Sequence, residues 1–195
     1  MTQSDHPILR ELIDGNTRYV NGDLQHPHSD ATYRRTLVKE QKPIAAILGC
    51  SDSRVPLEMI FDQGLGDIFV IRVAGNIANE DTIASVEFAI EELHVPLIMV
   101  MGHSRCGAVT AAIQPKTFTG HLRHLIDQIR PAVRRAGGRE GDLLDNAIRI
   151  NAQIMAQQLI DRSDLISQAS NTKQTKIVAA YYDLDTGVVE VLDEL

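Results

Sequence analysis

Apolar runs of four to seven residues, each closed by a turn signal, set the pattern of the chain. IAAIL at 44–48 leads into Gly49 and Cys50, IFVIRV at 68–73 into an Ala-Gly-Asn turn, and LIMVM at 97–101 into Gly102 and His103. KIVAAYY at 176–182 is followed by Asp185, Thr186 and Gly187 and then by VVEVL at 188–192. Short runs with little polar alternation suit strands buried on both faces of a parallel sheet, and the turn between the last two predicts a hairpin. Helical spacing predicts helices over 82–93, with Ile83, Val86, Phe88, Ala89 and Ile90 turned inward, and over 122–133 and 143–159, parted by Gly137 and Gly138. A shorter helix fits 56–61. Near the start, Leu9, Leu12 and Ile13 among charged residues predict a peripheral helix over 7–20, with Pro7 in its first turn. Its apolar face suits its own subunit or a neighbouring one equally.

The fold expected is therefore α/β: a mostly parallel central sheet flanked by helices, with an antiparallel C-terminal edge strand. Residues 1–34 form a helical arm and 35–195 the main domain, a size that one hydrophobic core can serve. The strand–helix–strand order puts Cys50 and His103 at neighbouring carboxyl ends of the sheet, where open α/β folds place their chemistry.

Composition narrows the function. The chain has 26 acidic and 19 basic residues, a formal net charge of -7, which gives no general basic surface for a nucleic-acid backbone. No apolar run is long enough to span a bilayer, and MTQSDHPILRELIDGN has neither the basic start nor the continuous apolar stretch of a secretory signal. A cytoplasmic location is expected, with no nucleic-acid or membrane partner. Gly64 and Gly66 in GLGD do not complete a dinucleotide fingerprint.

The two cysteines, Cys50 and Cys106, stand beside the ends of apolar runs, in CSDSRVP at 50–56 and GHSRCGAV at 102–109. A disulfide is open on count alone, but a reducing location favours thiolates on a metal. His103 and Cys106, three apart, reach one compact site, and with Cys50 they make three zinc donors; water or Asp52 completes the set. A buried polar cluster without metal is the competing reading. Arg54 attracts Asp52, either turning its carboxylate toward a bound water or, on release, letting it ligate the metal; a plain salt bridge fixing the loop is the simpler alternative.

CSDSRVP and GHSRCGAV resemble the two signature motifs of beta-class carbonic anhydrases, and FDQGLGDIFVIRVAGN at 61–76 and AYYDLDTGVV at 180–189 are similar to the same family. The resemblance runs from about Arg35 to Glu190. It implies one zinc per subunit on Cys50, His103 and Cys106, with Asp52 and Arg54 as the catalytic pair and Asp52 as an alternative fourth ligand. It implies zinc-dependent reversible hydration of carbon dioxide to bicarbonate and a proton. It also carries pocket positions onto Gln41, Phe69, Ala74, Phe88 and Gly107, with Gln41 donating to bicarbonate and the phenylalanines forming an apolar wall. A homodimer, extending to a homotetramer, is implied, with the pocket completed across the subunit boundary. Ile47 stands where one branch of the family has tryptophan, so that branch's inhibitory bicarbonate site is not expected here. His26 and His28 are candidates for a proton relay. Hydrolysis of carbonyl sulfide or carbon disulfide at the same site, and a structural zinc domain that binds a protein, are the competing functions.

Overall fold

Each apolar run is a strand in the computed structural model, which describes residues 6–195; the first five residues of the expected arm lie outside the described residues. β1 (Ala45–Gly49), β2 (Ile68–Arg72), β3 (Leu97–His103), β4 (Lys176–Tyr182) and β5 (Val189–Glu194) form one sheet in the order β2-β1-β3-β4-β5. The first four run parallel and β5 returns antiparallel to β4, with a register shift at Ala179 and Ala180. The fold class is as expected.

Successive side chains of a strand point to opposite faces. Here Ala46, Leu48, Ile98, Val100, Ile177 and Ala179 enter one hydrophobic cluster, while Ala45, Ile47, Leu97, Met99, Val178 and Ala180 enter another. Both faces are covered, which is why these runs show so little polar alternation. The first face carries α4 (Glu80–Glu91), α5 (Gly107–Ile113), α6 (Gly120–Ala136), α7 (Leu143–Arg162) and α8 (Asp164–Asn171). The second carries α1 (Pro7–Asn21) and α3 (Leu57–Ile60). α2 (Ala31–Thr36) buries no residue.

Three elements were not expected: α2, α5 and α8. Another difference bears on the site. β3 runs on through Gly102 and His103, which pair with Tyr181 and Tyr182 of β4. His103 is thus held by the ladder as the last strand residue instead of leading a loop.

α1 covers its own chain. Leu9 and Leu12 are buried in the second cluster, and Gly15 crosses the chain so closely that a Cβ there would lie 1.9 Å from the Phe61 carbonyl oxygen. Buried Asn16 donates through Nδ2 to the carbonyls of Ile60 (3.1 Å) and Gly187 (2.8 Å) and accepts from the Val189 amide (2.8 Å). It therefore ties α1 to α3 and to the β4–β5 turn at once. Replacing it by alanine strands these backbone groups away from water, and Asn16→Ala is expected to cost about 3 kcal/mol. The urea midpoint should fall with an unchanged slope; an unchanged midpoint would show that α1 is only loosely applied.

Candidate metal centre

β1 and β3 are adjacent and parallel, so their carboxyl ends deliver CSDSRVP and GHSRCGAV to the same place. Cys50 follows β1, His103 ends β3, and Cys106 is the N-cap residue of α5. All three are buried, and their ligand atoms lie within 4.8 Å of one another. The sulfurs are 3.9 Å apart, too far for a disulfide, and both cysteines are free. Two sulfurs on one tetrahedral zinc, each at about 2.3 Å, would sit about 3.8 Å apart.

The imidazole completes the fit. His103 Nδ1 lies 3.0 Å from the Ser104 carbonyl oxygen; a carbonyl only accepts, so the proton belongs on Nδ1 and Nε2 carries the lone pair. Nε2 is fully buried and has no hydrogen-bond partner among the described residues. A buried acceptor of this kind calls for an occupant. The thiols behave accordingly. A hydrogen bond from Cys106 draws the Cys50 thiol down to about 4, and that same contact, with burial, pushes the Cys106 thiol up. A cation placed between the two sulfurs takes the place of this hydrogen bond and favours both as thiolates. The donor set, its burial and its spacing fit zinc.

Asp52 stands beside this cluster without joining it. Its Oδ1 accepts from the Arg54 backbone amide (3.0 Å) and Nε (2.9 Å), and its Oδ2 accepts from the same guanidinium (2.8 Å). The Asp-x-Arg spacing creates this turn, and the fork fixes the carboxylate plane. Oδ2 remains 3.9 Å from His103 Nε2. The Arg54 side chain and amide hold the Asp52 carboxyl well below the usual carboxylate range.

The remaining predicted residues are scattered. Ala74 lies in the turn after β2 and precedes Gly75, whose amide reaches the Cys50 sulfur. Gly107 opens α5, exposed, with open space where a Cβ would stand. Gln41 is exposed ahead of β1, at the opposite end of that strand from Cys50. Phe69 pairs in register with Ala46, four residues before Cys50, or about 13 Å along the strand. It stacks on Phe88 of α4, with ring centroids 6.0 Å apart. Within one chain, then, Gln41, Phe69 and Phe88 do not reach the donor cluster. Nor does His28, which pairs with Asp67 just ahead of β2 and so sits toward the amino ends of the strands; the His26 amide donates to Asp62, which also pairs with Arg18 in the last turn of α1. The local sequence around Pro27 held no information on which sheet end it would meet.

Residues that motif reading passed over brace the site. Arg72, the sole charge in IFVIRV, donates from β2 to the carbonyls of Cys50 (2.9 Å) and Asp52 (2.6 Å). A lone arginine closing an apolar run was the available signal. Arg105 pairs with Asp185 of the β4–β5 turn (2.5 Å), and the Ser104 hydroxyl accepts from the Leu184 amide (2.8 Å). The second motif is therefore held by the C-terminal hairpin, which explains why AYYDLDTG accompanies it.

The carbonic anhydrase family model matches residues 45–189, a span that begins at β1 and takes in both motifs. Carbonic anhydrase 2 of Mycobacterium tuberculosis is 39% identical over 191 residues, covering 95% of this chain and 92% of that protein. A Coccomyxa beta-carbonic anhydrase solved with acetazolamide is 25% identical, with a TM-score of 0.75 over 100% of this chain and 89% of its own. A tetrameric beta-carbonic anhydrase of Sordaria macrospora shares the fold at a TM-score of 0.75 and 23% identity, over 96% of this chain and 98% of its own. The matched spans take in the sheet and both cysteine-containing motifs, and the chain belongs to the beta-carbonic anhydrase family.

Proposed function

We propose that this protein catalyses the reversible hydration of carbon dioxide to bicarbonate and a proton, with one zinc per chain on Cys50, His103 and Cys106. The observation that carries the reading is the buried Cys-His-Cys cluster, with an unpartnered imidazole nitrogen, beside a carboxylate fixed by arginine. Three protein donors with Asp52 held aside leave one tetrahedral position for an exchangeable ligand, the pattern of catalytic zinc more than of structural zinc.

Zinc bound there supplies Lewis-acid activation of water at neutral pH. The chain's own residues do the rest. The Ser104 carbonyl keeps the proton on His103 Nδ1, so Nε2 stays a donor to the metal. Arg54 prevents the Asp52 carboxylate from rotating, and Asp52 accepts a hydrogen bond from the attacking water, orienting its lone pair toward carbon dioxide. Asp52 remains an anion throughout. A depressed carboxyl adds stability above its unfolded pKa of about 4 and loses it only as pH falls through the lower folded value. Between about pH 6 and 9, a rising activity limb therefore does not report Asp52.

A second copy of the chain completes the pocket in this reading, contributing Gln41 as a donor to bicarbonate and Phe69 and Phe88 as the apolar wall, opposite Ala74 and Gly107. In support, Phe88 is 47% exposed in the single chain although it is large and apolar. The reading extends to a homotetramer, as in the tetrameric relative, and to residues 1–34 as an arm on a catalytic unit of 35–195. Among the described residues no helix is long and apolar enough to cross a membrane, and a cytoplasmic location fits two cysteines that are free thiols. Light scattering should give at least twice 21.5 kDa. A single-chain mass at full activity would sink the shared pocket.

The direct test is stopped-flow carbon dioxide hydration by zinc-loaded protein across that pH range. Zinc-dependent turnover that rises with pH is expected. Its absence in folded protein with one zinc per chain would overturn the reading, and turnover of carbonyl sulfide or carbon disulfide instead would select hydrolysis.

A further inference from the structure

The metal cluster has a brace that lies outside both motifs. The Gly75 amide donates to the Cys50 sulfur at 3.3 Å. It points there because Gly75 sits in the left-handed region at φ 72 and ψ 19, which a side chain would disfavour. A Cβ on Gly75 would also meet Ile129 Cδ1 at 2.6 Å and Ala108 Cβ at 3.1 Å. On its other side the Gly75 carbonyl accepts from Asn151 Nδ2 at 2.9 Å. Asn151 projects from α7 and is fully buried.

Of its amide only Nδ2 is used. Oδ1 has no partner among the described residues, and neither does Nδ2 of neighbouring Asn76. A buried amide with half its capacity unmet is costly, and a leucine of similar volume would fill the same space without that cost. What Asn151 supplies that leucine cannot is the bond to Gly75. The same helix also backs the other motif: Ile148 and Ala152 lie 3.0 and 3.6 Å from where a Gly102 Cβ would stand, beside His103. α7 therefore stands behind both halves of the cluster.

We propose that Asn151 is a positioning residue for the metal centre: by holding the Gly75 carbonyl it aims the Gly75 N–H at the Cys50 sulfur and tunes that sulfur's donation to the metal. This rests on Cys50 being a ligand, as proposed above. An N–H donated to a bound thiolate withdraws electron density from it, so the sulfur lone pairs drop in energy and the metal becomes a stronger Lewis acid. Groups that orient metal ligands in this way typically govern about 10–100-fold in metal affinity or activity.

The test uses cobalt(II) in place of zinc, because its sulfur-to-metal charge-transfer band reports thiolate ligation directly. In Asn151→Leu the band is expected to move to longer wavelength, and cobalt affinity to fall about tenfold. Leu159→Ala, buried further along the same helix, should lower the melting temperature and leave the band in place. If the unaltered protein shows no such band, cysteine ligation itself fails. If it shows the band and Asn151→Leu leaves it unmoved, the positioning role is overturned. A shift of equal size in Leu159→Ala would overturn it too, since general loosening would then suffice. Should Asn151→Leu not fold, NMR of the unaltered protein loaded with an NMR-active cadmium isotope decides: coupling between the metal and the Gly75 amide proton supports the brace, and its absence in a bound, folded sample overturns it.

Discussion

Cys50→Ser protein is expected to purify folded, to hold far less than one zinc per chain, and to lose carbon dioxide hydration by at least about a thousandfold, because the metal supplies several kcal/mol of transition-state stabilisation. A serine hydroxyl stays protonated where a thiol ionises, and it is a poorer match for zinc than a soft thiolate. His103→Ala should do the same by removing the one nitrogen donor. Folding is expected to survive because Cys50 and Cys106 are two small members, at the sheet's end, of one of two large apolar clusters that cover the sheet faces. In that respect the chain differs from small zinc domains whose only core is the metal. Metal analysis beside circular dichroism and stopped-flow rates checks the expectation. Full zinc content and near-native turnover in Cys50→Ser would remove Cys50 from the ligand set.

Arg54→Ala should separate catalysis from metal binding. The guanidinium hydrogen-bonds neither the cysteines nor His103; it grips both Asp52 oxygens and reaches the Arg105 carbonyl at 3.4 Å. Without it the carboxylate is free to rotate, and with Oδ2 already 3.9 Å from His103 Nε2 it is near enough to become a fourth ligand. The expected result is a loss of about 10–100-fold in kcat with zinc still at one per chain. X-ray absorption should show an added carboxylate oxygen. Arg54→Lys should recover only part of the rate, because an ammonium lacks the fork that fixes the carboxylate plane. Loss of zinc in Arg54→Ala would instead make the arginine a structural support of the ligand loops.

The strands were legible because burial on both faces writes itself into consecutive apolar residues, and the β4–β5 hairpin because DTG is turn chemistry. Asp52 and Arg54 were legible for a similar reason: their pairing is a contact between near neighbours, set by an Asp-x-Arg turn. Of the short helices, α3 was expected but α2, α5 and α8 were not. α5 has only seven residues, begins with glycine and contains β-branched Val109 and Thr110, and so short a helix is marginal in isolation despite its alanines. Packing of Val109 and Ala112 into the core holds it in place. α8 rests likewise on burial of Ile166 and Ala169 and on a Ser163 cap.

Which chemistry the chain carries could be read from its two motifs, since donor types and local spacing are properties of adjacent residues. Where those donors meet was decided by the sheet. Cys50 and Cys106 are 56 residues apart and come within 3.9 Å only because β1 and β3 pair in parallel and end together. Gln41 ahead of β1 and Phe69 near the start of β2 lie toward the other end of the sheet, and so does His28 through its contact with Asp67. Asn151 was silent in the sequence, and the partners of Arg72 and Asp185 could not be read from their neighbours. Each acts on the site through one or two hydrogen bonds or an ion pair across a long stretch of chain, and contacts of that kind leave no periodicity and no motif in the sequence.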